Sequence, residues 1–469
     1  MRPLPTLIVV LFIFCGPLIA DEPQSIDLTI HASAIETPAL KYRLFPAEGD
    51  LKPGNAIPIL LRLPWERGQW MAEVFPKLRE WVSRPLDAEE WASSGGVLLE
   101  GSYSEMKRSA FRRDASWEYP IGETTSPHLI LIPDVQELRT WLGYGLSARI
   151  RYHISRGELD EAREGILIGF ANSRHIARTT FYINQLVARS IHLNMLNRVE
   201  ELISQPKSPN LYWALSTLPD SLLELGRAAS FEGDMFAMTF PAVRELDRPR
   251  DPREWSKMAQ QLVAFLVEVN SLQRQSEVGA NDFANTYVTK MAPKARAELT
   301  SLMEDGKERV AKMTDDEVVI RWYSNLRIAK DERMSAVMVL PPREAWTELK
   351  KLVAEIELMH AQTGTIKEEF QDPVAIYVSV WSLKRKIQSL RLIEAVRHHL
   401  ASHDGKFPSS LDEIKDIPVP IDPLTNQPFG WSVQGNMATL TAPRLPADVV
   451  VHGSKLEKAH SLVYRLRVE

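Results

Sequence analysis

A chain of 469 residues, 44% hydrophobic and 25% charged, can bury a sizeable core and fill two or three domains, which excludes wholesale disorder. Its 56 basic residues stand against 61 acidic ones, a formal net charge of −5, so a nucleic-acid partner, which selects a basic face, is not expected. The single cysteine, Cys15, sits in the N-terminal apolar run, leaving the rest of the chain without disulfides, thiol nucleophiles or cysteine metal sites.

That run has its own grammar. Met1 and Arg2 give a positive start, Leu7–Cys15 is apolar, and small Ala20 precedes Asp21, the order of a secretory signal peptide. Leu7–Ala20 covers 14 residues, short of the about 20 that a spanning helix needs. Export with cleavage after Ala20 is the expectation, although Leu18 is large for the −3 position; a retained anchor is the alternative. Phe14 before Cys15 removes the lipoprotein reading. The mature protein is then periplasmic or extracellular, with no stable membrane span.

Residues 21–133 read as a mixed β/α region. "SIDLTIHASAI" and "PALKYRLFP" alternate as half-buried strands do. "LKPGNAIPILLRLP" (51–64) predicts a turn followed by an extended run ended by Pro64. Trp70, Val74, Leu78, Trp81 and Val82 then share one helical face, with Pro76 bending it.

Residues 134–371 read as an α-helical domain. Asp134 with Glu137 suits a capping box, and Gly157 ends that helix. "RGELDEAREG" resembles the helix boundary of a tetratricopeptide repeat, but no second copy follows at a repeat-like period, so an irregular helical array is expected. Ile183, Val187 and Ile191 mark the next buried face. Later helices are placed near Pro252, Pro293, Thr314–Asp315 and Pro341–Pro342, with proline at first turns. A long helix over 372–405 leads into an α+β unit ending near 445, and "SLVYRLRV" predicts a tail strand within 446–469. The fold class is mainly α, with a small N-terminal β region and a C-terminal α+β unit.

Few motifs carry chemistry. His399 and His403 stand at the i, i+4 spacing that lets two imidazoles share a metal, with Asp404 beside them. Leu400, however, occupies the place of a zinc-protease glutamate, and cations suit a helix C-terminus in any case. No metal is assigned. "GYGLSA" (143–148) matches a dinucleotide fingerprint only as a string; it lies in a helical segment, where small residues allow close packing, so no cofactor is assigned. Asp315–Asp316 suits a helix N-terminus. In "SPNLYWALSTLP", Ser208–Asn210 sets a helix start, while Tyr212 and Trp213 supply a packing or interaction surface. No nucleophile elbow, phosphate loop or His-Glu-x-x-His occurs, and catalytic residues remain unassigned.

"HDGKFPSSLDEI" (403–414) reads as a joint. Gly405 suits the left-handed C′ position, Phe407 anchors the turn, and Ser410 with Glu413 forms a capping box. Asp422-Pro423 and Gln434-Gly435-Asn436 set turns around a strand over 429–433.

Two resemblances follow from these strings. "PALKYRLFP…PGNAIPILLRL", "SPNLYWALSTLP" and "LRLIEAVRHHLASHDGKFPSSLDEI…PIDPLTNQPF" resemble a family of exported proteins typical of planctomycete bacteria; this implies a compartment and a mostly helical fold, and no activity. Residues 376–441 resemble the globular end of the major pseudopilins of type II secretion in their order of long helix, Gly, aromatic-Pro, short helix, Asp-Pro turn and aromatic strand. The leader and acidic calcium loop of that family have no match here, and Asp422 alone is a poor calcium site.

The leading functional expectation is a non-enzymatic helical scaffold that binds an envelope or extracellular protein. The alternatives are a hydrolase of an envelope polymer with a nonstandard carboxylate or histidine site, and an accessory of a pseudopilus-like secretion machine.

Overall fold

The computed structural model describes residues 24–86, 100–119, 121–123, 133–268, 279–365, 373–445 and 462–469; the signal segment lies outside them. The chain is mainly α with a small β content, as the sequence leads one to expect; among the described residues the strands form a four-stranded mixed sheet and a two-stranded parallel one.

In chain order, β1 (Gln24–Ile30) and β2 (Lys52–Asn55) precede the helices α1 (Ile57–Ser83) and α2 (Glu100–Ala110), and β3 (Arg112–Asp114) pairs in parallel with β2. Then come α3 (Pro133–Arg139), a π-helical turn (Thr140–Gly145), α4 (Leu146–Ser155), α5 (Leu159–Ala177) and α6 (Tyr182–Ile203). The short α7 (Tyr212–Ser216) leads to α8 (Leu225–Thr239), α9 (Pro252–Glu268), α10 (Ala280–Leu302), α11 (Gly306–Ala311), α12 (Asp315–Met338) and α13 (Pro342–Thr363). The long α14 (Pro373–Ser402) is followed by β4 (Gly430–Gln434), β5 (Met437–Thr441) and β6 (Leu462–Val468).

The first and last strands meet. The sheet order is β1-β6-β5-β4, with β1 parallel to β6 from Gln24↔Leu462 to Ile30↔Val468 and the other pairs antiparallel. Alternate residues of β1, β5 and β6 (Leu28, Ile30, Ala438, Leu440, Tyr464, Leu466) face the core and are buried, the period-2 pattern of a one-sided sheet. They join the largest core, which also contains α1 to α7 and the C-terminal half of α14. A second core lies among α8 to α12, and a third joins the start of α8, the end of α12, α13 and the start of α14.

Three strings fold differently from the reading of the sequence. "IPILLRLP" is helix: Asn55 Oδ1 accepts from Ile57 N at 3.1 Å, and Ile57, Leu60, Leu63, Met71 and Leu78 line one buried face through Pro64 and Pro76. Helical periodicity sustained over 27 residues outweighs two missing backbone donors. "PALKYRLFP" joins no ladder; Leu44 plugs the core, while the rings of Tyr42 and Phe45 sit 5.7 Å from the guanidiniums of Arg163 and Arg174. Pro293 lies inside α10, whose buried face runs through Ala284, Val288, Met291, Ala295 and Leu299.

Helices pack closely on both sides of α5. A Cβ on Gly165 would lie 2.6 Å from Ile150 Cγ1 of α4, and one on Gly169 would lie 2.1 Å from Met195 Sδ of α6. The two glycines let both neighbours approach the α5 backbone.

Candidate functional site

At the C-terminus of α14 the rings of His399 and His403 stack face to face, 3.7 Å between centroids and 7° apart. His403 Nδ1 lies 2.9 Å from both His399 O and Ser402 Oγ, and burial, aided by neighbouring His403, lowers the pKa of His399. Asp404 adopts a left-handed φ of 50° and takes the C′ position that the sequence suggested for Gly405. Gly405, at φ 71°, follows as C″ and donates its N–H to Leu400 O at 3.0 Å, a Schellman closure. Among the described residues no group of three or more His, Cys, Asp or Glu is placed to hold a metal.

The joint beyond it is also built locally. Phe407 meets Trp431 edge to face at 5.9 Å, and Trp431 Nε1 donates to Pro408 O at 2.9 Å. Ser409, one residue earlier than the expected Ser410, donates its backbone N–H to Glu413 at 2.9 Å, ahead of a 3₁₀ turn at Leu411–Glu413. Asp422 is fully buried, and Arg385 of α14 holds it through Nε and Nη2, each at 2.7 Å. A guanidinium thus occupies the carboxylate that the sequence weighed as a calcium ligand.

"SPNLYW" is the centre of a buried polar node. Asn210 Nδ2 donates to Ser33 O and Glu394 O, both at 2.9 Å, and its Oδ1 accepts from Tyr212 N at 3.0 Å. Arg397, paired with Glu394 at 2.8 Å with neither side chain exposed, donates to Ser208 O at 2.9 Å and His31 O at 3.0 Å. Tyr212 is wholly buried and donates to Pro418 O, while Trp213 is half-buried and meets the Tyr212 ring edge-on at 5.0 Å. Tyr212 therefore packs; it presents no surface. A second node joins Glu200 of α6, Lys386 of α14 at 2.9 Å and the Tyr464 hydroxyl of β6.

The remaining motifs take structural places. Gly143 and Gly145 lie in the π turn, where a Cβ on Gly143 would come within 3.1 Å of Asn194 Nδ2 of α6. Asp315 and Asp316 occupy the first turn of α12, whose N-cap Thr314 accepts from Glu317 N at 3.2 Å.

One cleft, of about 140 Å³, opens between the segment 215–223 and α14. Lys384, Gln388 and Arg391 reach it from one face of α14, and Asp220 faces them. Sequence reasoning passed over these residues because they stand inside an apparently ordinary long helix; their i, i+4, i+7 spacing was the available signal.

No family model matches the chain, and neither a curated protein nor a solved structure matches it.

Proposed function

We propose that the protein is an exported, non-enzymatic helical scaffold that binds another envelope or extracellular protein, in the periplasm or outside the cell. The observation that supports this reading is how the buried ionisable groups are used. Asp422 and Glu200 each fasten α14 to a distant stretch of chain, and Glu394 holds Arg397, whose guanidinium reaches Ser208 O and His31 O. Such nodes lend rigidity to a body from which α8 to α13 project around their own two cores. Large apolar residues stand exposed on those helices or at their ends, with Leu302 71%, Val339 66% and Leu358 57% accessible. Singly placed, they suit contact points within a larger polar interface.

The test is crosslinking in intact cells followed by purification through the C-terminus, with cell fractionation and N-terminal sequencing of the product. The reading expects a mature chain beginning at Asp21, in the periplasm or medium, with a reproducible protein partner lost when Leu302 and Leu358 are changed to Asp. Cytoplasmic location, or the absence of any crosslinked partner, overturns it. Turnover of a cell-wall polysaccharide, abolished by changing one carboxylate or histidine, replaces it with the hydrolase reading.

The order of elements from α14 through β5 also supports kinship with the globular end of pseudopilins and, with it, the secretion-accessory reading. That reading predicts docking of pilin-like subunits through residues 376–441. Binding of such subunits undiminished by changes on the outward face of edge strand β4 counts against it.

A further inference from the structure

On its α14 side the cleft is walled by one stripe of the helix. Val380, Lys384, Ile387, Gln388 and Arg391 line it at the three- and four-residue spacing that puts side chains on one face, and Lys384 stands inside that stripe. Leu215, Leu218 and Leu222 line the cleft from the facing segment. Lys384 is half-buried, and no hydrogen bond or ion pair to a described residue holds its ammonium. Nζ lies instead 4.3 Å from the centre of the Trp381 ring. Burial lowers its pKa, against the opposing pull of Asp220, an exposed carboxylate that also lines the cleft. Lys386, two residues on, makes the contrast: Glu200 at 2.9 Å and Asn197 at 2.6 Å hold its ammonium.

A lysine that only covers apolar surface lays its stem on that surface and keeps its head in water. A head drawn among apolar groups, with no acceptor to hold its charge, is in a costly state as a cation and is shifted toward the free amine. That is the setting in which lysine acts as a nucleophile toward carbonyl carbon. The leucines favour an aliphatic chain on the molecule that reaches it. At about 140 Å³ the space is close to the ~150 Å³ cavity that takes up benzene, so the guest has about six to eight non-hydrogen atoms.

We propose that Lys384 is a nucleophilic lysine that captures small aliphatic aldehydes as an imine, with the aldehyde's chain lying on Leu215, Leu218 and Leu222. The nitrogen lone pair adds to the carbonyl carbon, and the C=O π pair moves onto the oxygen. That oxygen then leaves as water with the two protons that the neutral amine gives up, and a C=N bond remains. The inference stands apart from the scaffold reading, because it concerns a small-molecule site and needs no protein partner.

The experiment treats the full chain near neutral pH with limiting hexanal or acetaldehyde and cyanoborohydride, which reduces an imine to a stable secondary amine. Peptide mass mapping then locates the labelled lysines, with no variant needed. Lys384 is expected to take up hexanal at least about tenfold faster than the exposed Lys257 and Lys294, the kind of gain that follows when a guest is held beside its nucleophile. With acetaldehyde, too short to lie along the leucines, that preference is expected to fall several-fold. In urea, where the cleft is lost, it is expected to vanish. Labelling of Lys384 no faster than that of Lys257 and Lys294, an equal preference with both aldehydes, or a preference that persists in urea overturns the proposal.

Discussion

Arg385 and Asp422 meet two-on-two, Nε to Oδ1 and Nη2 to Oδ2 at 2.7 Å each, with 2% and 0% of their side chains exposed. Asp422 also accepts from Thr425 N at 3.0 Å and Oγ1 at 2.6 Å, and Arg385 donates to Pro443 O at 3.0 Å. The pair therefore ties the middle of α14 to the turn before β4 and to the chain leaving β5. Removing one partner strands a charge in the core, so Asp422→Ala is expected to lower unfolding free energy by about 3–5 kcal/mol. The double change Arg385→Met/Asp422→Leu is expected to cost less than the single one. Urea denaturation of the three chains decides it, and a single-variant loss under about 1 kcal/mol would sink this account.

Asn210 is the second fastening. Its amide satisfies three backbone groups, Ser33 O and Glu394 O from two distant segments and Tyr212 N two residues on. Asn210→Asp keeps the shape and replaces two donors by an acceptor facing two carbonyls. The loss is expected to exceed that of Asn210→Ala, itself about 1–3 kcal/mol. Hydrogen exchange at Ser33 N, which bonds to Arg397 O at 3.0 Å, is expected to rise in both variants. Unchanged protection there would assign the N-terminal segment to some other anchor.

These two nodes show what the sequence could convey. Local signals were legible: Gly157 at φ 73°, Thr314 as an N-cap, and the Gly435-Asn436 turn between β4 and β5 all follow from residue type. Partnership at long range was not. Arg385 precedes Asp422 by 37 positions, and nothing periodic links them. α14 is buried on several sides, so it shows no single apolar stripe from which to read its neighbours. β1 and β6 each alternate convincingly, yet alternation fixes which face is buried and says nothing about which strand lies alongside. For the same reason Tyr212 could be read as core or surface until Pro418 O was found against its hydroxyl.

Stability is expected to fall with acid because of two enclosed histidines. His192 Nδ1 lies 2.8 Å from both Ser173 Oγ and Ala188 O, and burial lowers its pKa to about 3. Burial, with Arg178 and Arg174 acting the same way, lowers that of His175 to about 4. In the unfolded chain both protonate near 6.5, so between about pH 6.5 and 4 the unfolded state holds more protons. Their contribution is complete above pH 6.5 and lost as pH falls through that window. At about 1.4 kcal/mol per pH unit and per histidine, the loss is on the order of several kcal/mol. Urea midpoints from pH 7.5 down to 5, above the range in which ordinary carboxylates titrate, are expected to decline, and less steeply in His192→Gln. Midpoints level across that range would contradict it.

The tight seams on α5 give a prediction whose sign opposes propensity. In an exposed helix interior, Gly→Ala gains about 1 kcal/mol. At Gly165 the new methyl would lie 2.6 Å from Ile150 Cγ1, and Ile150, 1% exposed on α4, is branched and has little room to turn. Overpacking costs about 1–3 kcal/mol, so Gly165→Ala is expected to destabilise on balance. At Gly169 the obstruction is Met195 Sδ, in an unbranched side chain with three rotatable bonds, so Gly169→Ala is expected to cost less despite the shorter distance of 2.1 Å. Ile150→Ala opens space beside Gly165 and none beside Gly169, so in that background only Gly165→Ala is expected to become nearly neutral or favourable. Thermal melts of the single and double variants give the interaction term directly. Coupling at Gly169 equal to that at Gly165 would mean that α5 moves as a rigid body, and the local account of the seam would be wrong.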